Sequence, residues 1–231
     1  MKNTAVALMV SLAAGAHVRT ADVNAAANAV YELSEVQPAW DGTPADRLAP
    51  STPDYDYTYG DEAALTYSLP WPFVFYGASY RAINVDTNGN IWFTATGSSH
   101  SFDIANTGRG PVIAAWNDDL TSHHFGGAFV QHKHDPERVV IEWLAESHRE
   151  EAYFFMNNFE VVLFPNGDAR IDYKSFSTET GRDSGSGISR GDRIGMLSLT
   201  STYGKAFTLA GRSFRVAPAR VTRTAGEPGV N

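Results

Sequence analysis

Two Asn-Gly pairs, Asn88-Gly89 and Asn166-Gly167, stand between strand-like runs, and no other feature of the chain restricts its fold as much. In "SYRAINVDTNGNIWFTA" apolar and polar residues alternate on both sides of the first pair. Alternation at period two sends successive side chains to opposite faces of a strand. Asn-Gly between two such runs predicts a hairpin, here of type I′ with positive φ at both residues. The second pair lies in "FPNGD", again between strands. A β-branched residue at Gly89 or Gly167 is expected to cost about 1–3 kcal/mol, because it resists positive φ.

The same signal recurs along the chain. "TYSLPWPFVFYG" carries Pro70 and Pro72, which place it at a sheet edge or in an irregular stretch. "PVIAAW" is a short buried run, and "GGAFVQHKHDPERVVIEWLAE" reads as two strands joined around Asp135-Pro136. "DRIGMLSLT" and "AFTLAGRSFRVA" supply the last two strands, and "TETGRDSGSGISRGD" reads as a polar loop. No helical period appears after residue 37. Short strands with Gly/Asn turns predict an antiparallel β-sandwich over residues 55–217. With 43% hydrophobic and 12% aromatic residues among 231, such a domain can fill a core.

The N-terminus reads differently. Lys2, the apolar stretch Ala5 to Ala14 and Ala14-Gly15-Ala16 fit a cleaved signal peptide over residues 1–16. Residues 17–37 read as an α-helix: Thr20 is a plausible N-cap, Val23, Ala26, Val30 and Leu33 keep helical spacing, and Pro38 stops it. A second reading joins residues 4–36 into one long helix, as in a pilin-like filament subunit. Residues 38–54 read as a linker, and residues 218–231 as a basic flexible tail. Asp41, Asp46, Asp54, Asp56, Asp61 and Glu62 make the early region acidic, and Arg212, Arg215, Arg220 and Arg223 make the end basic. Solvated surface is the plain reading, and head-to-tail contact between subunits the sharper one.

Several chemistries are excluded. Cysteine is absent, so there are no disulfides, thiolate metal sites or cysteine nucleophiles. A net charge of −8 argues against a nucleic-acid partner. No Gly-x-Ser-x-Gly elbow and no phosphate-binding glycine loop is present. Glu142, Glu146 and Glu160 are candidates for a glycosidase pair, although exposed strand carboxylates are the commoner explanation.

The candidate sites are few. Asp86 and Asn88 resemble the start of a calcium loop, but its twelfth position falls on Gly97, so calcium would need Asp118 or Asp119 from elsewhere. His132 and His134 lie two apart on a predicted strand and share a face, an arrangement that can take zinc, nickel or copper; a polar, solvent-facing strand edge is the plain alternative. Arg190, Gly191 and Asp192 spell the integrin-recognition tripeptide in a loop. Trp40, Trp71, Trp92, Trp116 and Trp143 could stack on sugars if exposed, with core positions expected for Trp92, Trp116 and Trp143.

In order, "LPWPFVFYGASYRAINVDTNGNIWF", "GPVIAAWNDDL", "GGAFVQ", "RVVIEW" and "NNFEVVLFPNGDARIDY" resemble the nidogen-like (NIDO-type) extracellular β-sandwich of bacterial secreted and surface proteins. The resemblance covers about residues 55–215 and departs at "VQHKHDPER", where the family has plainer strand residues. It implies a non-enzymatic module for adhesion or structural self-assembly, secreted or at the cell surface, with no shared catalytic residues. A carbohydrate-binding or carbohydrate-active protein is the alternative from another class. The expected partners are other extracellular proteins or copies of itself, with no nucleic acid and no membrane span in the mature chain. No cofactor is expected, calcium being the one left open.

Overall fold

The computed structural model describes residues 31–99, 104, 108–148, 156–176, 184–201 and 209–219. The signal-peptide segment, the first part of the expected helix and residues 220–231 lie outside them. Among the described residues the elements are all strands: β1 (Tyr31–Val36), β2 (Tyr55–Thr58), β3 (Ala64–Phe75), β4 (Ala78–Asp86), β5 (Asn90–Trp92), β6 (Val112–Asn117), β7 (Leu120–Thr121), β8 (Gly127–His134), β9 (Glu137–Ser147), β10 (Met156–Leu163), β11 (Ala169–Ser175), β12 (Gly185–Ser189), β13 (Met196–Ser201) and β14 (Arg212–Pro218).

They form two antiparallel sheets. One runs β1-β14-β11-β10-β9-β8-β2, with β7 added on β9, and the other runs β13-β12-β6-β5-β4-β3. The inner faces meet in one core. Phe73, Phe75, Val85, Ile91, Ile113 and Trp116 come from the second sheet, and Val130, Ile141, Trp143, Phe159, Val161 and Ile171 from the first. Trp92, Trp116 and Trp143 are fully buried, and Trp143 stacks on Phe159 with ring centroids 5.4 Å apart. Burying one such ring is worth roughly 2–3 kcal/mol. The edge position expected of the proline-containing strand is found: β3 ends its sheet, and its pairing with β4 shifts register between Ser68 and Phe73, across both prolines.

Three expectations need correction, a helix and a loop first. Residues 31–36 are a strand and not the end of a helix, because their whole length pairs with β14, from Tyr31 opposite Pro218 to Val36 opposite Ser213. Tyr31 packs against Phe75 and Tyr76 at 5.3 and 5.0 Å, and its hydroxyl accepts the Tyr76 N–H at 3.0 Å. Long-range pairing overrides the weak helical spacing of Val30 and Leu33. Likewise, residues 185–189 of the supposed polar loop form β12, buried throughout between β6 and β13.

Both Asn-Gly pairs are hairpin turns, but the first is not type I′. Gly89 has φ +81° and Gly167 φ +85°, while neither asparagine has positive φ. Val85 pairs with Ile91, and Leu163 with Ala169. In the second hairpin the Gly167 N–H donates to the Phe164 carbonyl at 3.1 Å. Each loop is thus a three-residue turn that ends on a left-handed glycine, which closes a hairpin as well as the two-residue kind.

Candidate functional site

Four polar clusters stand out, and the sheets explain each. The first surrounds the Asp86 turn. Residues 86–90 are buried between the sheets. Asp86 Oδ1 accepts the Asn90 N–H (3.0 Å) and Asn90 Nδ2 (3.2 Å); Oδ2 accepts Trp92 Nε1 (2.7 Å), the Ser99 N–H (3.2 Å) and Asn90 Nδ2 (3.2 Å). Its carbonyl accepts Trp143 Nε1 at 2.7 Å, which ties the two sheets together. Burial pushes the Asp86 carboxyl up to about 7 against these donors, which favour its ionised form. Asn88 Oδ1 accepts the Leu120 N–H at 2.8 Å, and Asp118 Oδ1 accepts the Asp119 N–H at 2.8 Å. The oxygens of the calcium candidates Asp86 and Asn88 therefore point at N–H donors, where a cation would meet positive hydrogens. Asp119 turns instead toward Asp61 and His148.

The second cluster lies on the outer face of the β9–β10 pair. Glu142 and Glu160 stand directly opposite each other across the strands. They are not the exposed carboxylates expected, since Glu142 is 5% and Glu160 0% exposed. The segment read as a linker covers them. The Asp41 and Gly42 N–H groups donate to Glu160 at 2.8 Å each, and the Thr43 N–H and hydroxyl donate to Glu142 at 2.6 and 2.8 Å. Asn158 Nδ2 donates to the remaining Glu142 oxygen at 2.8 Å. Asp41 then bridges Arg138 and Arg170 at 2.5 and 2.6 Å. Burial opposes its ionisation, but the hydrogen bonds from these arginines hold its carboxyl below the usual range. Residues 39–43 are a strap, fixed because sheet carboxylates that cannot reach water take backbone N–H groups instead.

Asp41→Asn should free that strap, leaving two arginines without their shared charge. A loss of about 2 kcal/mol is expected, read as a lower urea midpoint with faster hydrogen exchange at Asp41, Gly42 and Thr43. An unchanged exchange rate at those amides would show that the ion pairs do not hold the strap.

The third cluster is the Arg190-Gly191-Asp192 turn between β12 and β13. The Arg190 and Asp192 side chains bond each other, and Asp192 Oδ1 also accepts the Ile194 and Gly195 N–H groups at 3.0 Å each. The tripeptide's two charges are joined within its own turn. Two of the arginines read as facing another subunit pair inside the chain, with acids outside the early acidic region: Arg212 with Glu35 at 2.8 Å and Arg215 with Asp168 at 2.6 Å.

The fourth cluster sits where edge strand β2 meets the end of the β8–β9 hairpin. Asp54 precedes edge strand β2, and its carbonyl accepts the His132 N–H of β8 at 2.8 Å. Asp54 Oδ1 lies 3.2 Å from His132 Nδ1, and Oδ2 lies 3.2 Å from His134 Nε2. On the far side of the ring, His132 Nε2 lies 3.3 Å from Glu137 Oε1. The two histidines share a face, but His132 is not solvent-facing: its side chain is 9% exposed and stands edge-on to Trp71 at 5.7 Å. Asp54 and Glu137 were missed from sequence. Glu137 was within reach, because an Asp135-Pro136 hairpin sets it opposite His134; Asp54, just before β2, is far away in the chain and has no local signal.

Buried tryptophans, outward carboxylates covered by backbone and turns bonded by their own side chains belong to an antiparallel two-sheet β-sandwich. The family model described as NIDO related matches residues 30–223, and the chain belongs to that family. No curated protein and no solved structure was found to match it. No helix among the described residues is long and apolar enough to cross a membrane.

Proposed function

We propose that this protein is a non-enzymatic module, secreted or at the cell surface, that works in adhesion or structural self-assembly. Family membership supports an extracellular module. The observation that carries the non-enzymatic part is the state of the Glu142–Glu160 pair. These are two carboxylates side by side on a sheet face, as a hydrolase acting on sugars would need. All four of their oxygens accept hydrogen bonds, three of them from the strap. The burial of Trp92, Trp116 and Trp143 likewise removes three of the five rings that a sugar-binding row could use.

The partners fitting this reading are other extracellular proteins or further copies of the chain. The test applies purified protein to immobilised extracellular proteins and to a glycan array, and follows self-association by sedimentation and electron microscopy. Binding to protein surfaces or growth of assemblies is expected, with no release of reducing sugar. Glycan hydrolysis that disappears in Glu142→Gln would move the protein to the carbohydrate-active class.

A further inference from the structure

We propose that Asp54, His132 and His134 form a site for a divalent transition metal, zinc above all, with Glu137 orienting His132 from behind. The family match does not assign this site, and it does not depend on the adhesive reading.

The argument begins with proton count. Both ring nitrogens of His132 face carboxylates, Asp54 at 3.2 Å and Glu137 at 3.3 Å. A neutral imidazole has one N–H and can donate to one of them. The other contact places a lone pair against an oxygen anion. A second proton resolves this, and so does a cation between Nδ1 and Asp54. His134 favours the cation. Its Nε2 approaches the same carboxylate at 3.2 Å, so two imidazoles converge on Asp54. Their ring centroids are 4.2 Å apart.

The spacing fits zinc. Ligand atoms about 2.0–2.1 Å from a tetrahedral ion lie about 3.3 Å from one another. His132 Nδ1 lies 3.2 Å from Asp54 Oδ1 and His134 Nε2 3.2 Å from Oδ2, so each imidazole stands at that spacing from its own carboxylate oxygen and the ion would sit between the two rings and the carboxylate. Ligand atoms from all three residues lie within 4.8 Å of one another. Two nitrogens and a carboxylate are a donor set for zinc, nickel or copper rather than for calcium. Glu137 supplies what metal-bound histidines usually have, a carboxylate that accepts the other ring N–H and fixes the tautomer. His132 is held by β8, by that carboxylate and by Trp71, while His134 (65% exposed) and Asp54 (53% exposed) leave an open path from solvent and room for a water ligand. A metal here would clip edge strand β2 onto β8.

The experiment titrates the full protein with zinc in a calorimeter and with cobalt in an absorption spectrometer. One equivalent is expected to bind in the micromolar range and to raise the melting temperature, and cobalt should give the visible bands of a tetrahedral nitrogen–oxygen site. His134→Ala removes a solvent-facing ring, so its metal-free melting temperature should stay near wild type while binding is lost. Glu137→Gln should weaken binding about tenfold. His148→Ala, in the separate Asp61–Asp119–His148 cluster, should leave it unchanged. Absence of binding at 100-fold higher metal, or binding that survives His134→Ala and vanishes in His148→Ala, would overturn the assignment.

Discussion

Gly89→Ala is expected to abolish the fold or to remove about 4 kcal/mol or more of stability, whereas Gly167→Ala should cost about 1 kcal/mol. Both glycines follow asparagine, close a three-residue turn and have nearly the same φ, so the conformational strain of about 1–3 kcal/mol is common to them. Their surroundings separate them. A Cβ at Gly89 would lie 2.0 Å from the Trp116 carbonyl oxygen and 2.8 Å from its carbon. Those are backbone atoms of buried strand β6 and cannot swing away. Relief means moving β6 off the turn, which breaks the Ala115 N–H bond to the Gly89 carbonyl, now 2.9 Å. It also disturbs the contact of Asn88 with Leu120. A Cβ at Gly167 would meet only the Val74 carbonyl, at an ordinary 3.6 Å. Losses above 4–5 kcal/mol are rare for single changes, and most small domains have only 5–15 kcal/mol in all. Chemical denaturation of both variants makes the comparison. Equal, small losses would show that the first turn can yield, contrary to its packing.

These two turns also show how far the sequence could be read. Asn-Gly and alternation carry the hairpins because turn chemistry and strand period are local. What differs between the turns, one buried against β6 and one near the surface, depends on residues far along the chain. The same division explains the rest. The burial of Trp92, Trp116 and Trp143 followed from their places in strong strand patterns. Tyr31–Val36 was misread because its partner β14 lies at the other end of the chain. Glu142 and Glu160 looked exposed because acidic residues at alternate positions usually are. Only the strap at residues 39–43, with no strand pattern of its own, makes their burial tolerable. His132 and His134 could be paired by their spacing on one strand, but the carboxylate between them comes from β2 pairing.

Stability should fall as pH rises from about 4 to 7, the reverse of ordinary acid unfolding. The cause is Asp86, which is completely buried. Burial lifts its carboxyl from 3.8 to about 7, against the hydrogen bonds of Trp92, Asn90 and Ser99. Between those values the folded chain holds a proton that the unfolded chain has released. Folding then takes up a proton, and each pH unit upward costs up to about 1.4 kcal/mol per such group. The loss should level off above pH 7 for Asp86. Glu160 acts in the same direction: burial raises its carboxyl, and Asp172 beside it adds to the rise against the strap's N–H donors. Asp41 has the opposite shift, and a carboxyl held below 3.8 adds stability as pH rises to about 5 and is constant from there to pH 7. Urea unfolding at pH 5 and pH 7.5 is therefore expected to differ by a few kcal/mol, with the acidic sample more stable. Other groups titrate over the same range, so the decisive quantity is the difference between wild type and Asp86→Asn. The amide should lower stability at pH 5, since its N–H₂ faces donors, and should flatten the slope. A slope as steep in Asp86→Asn as in the wild type would mean that Asp86 stays ionised in the core, held by its five hydrogen bonds.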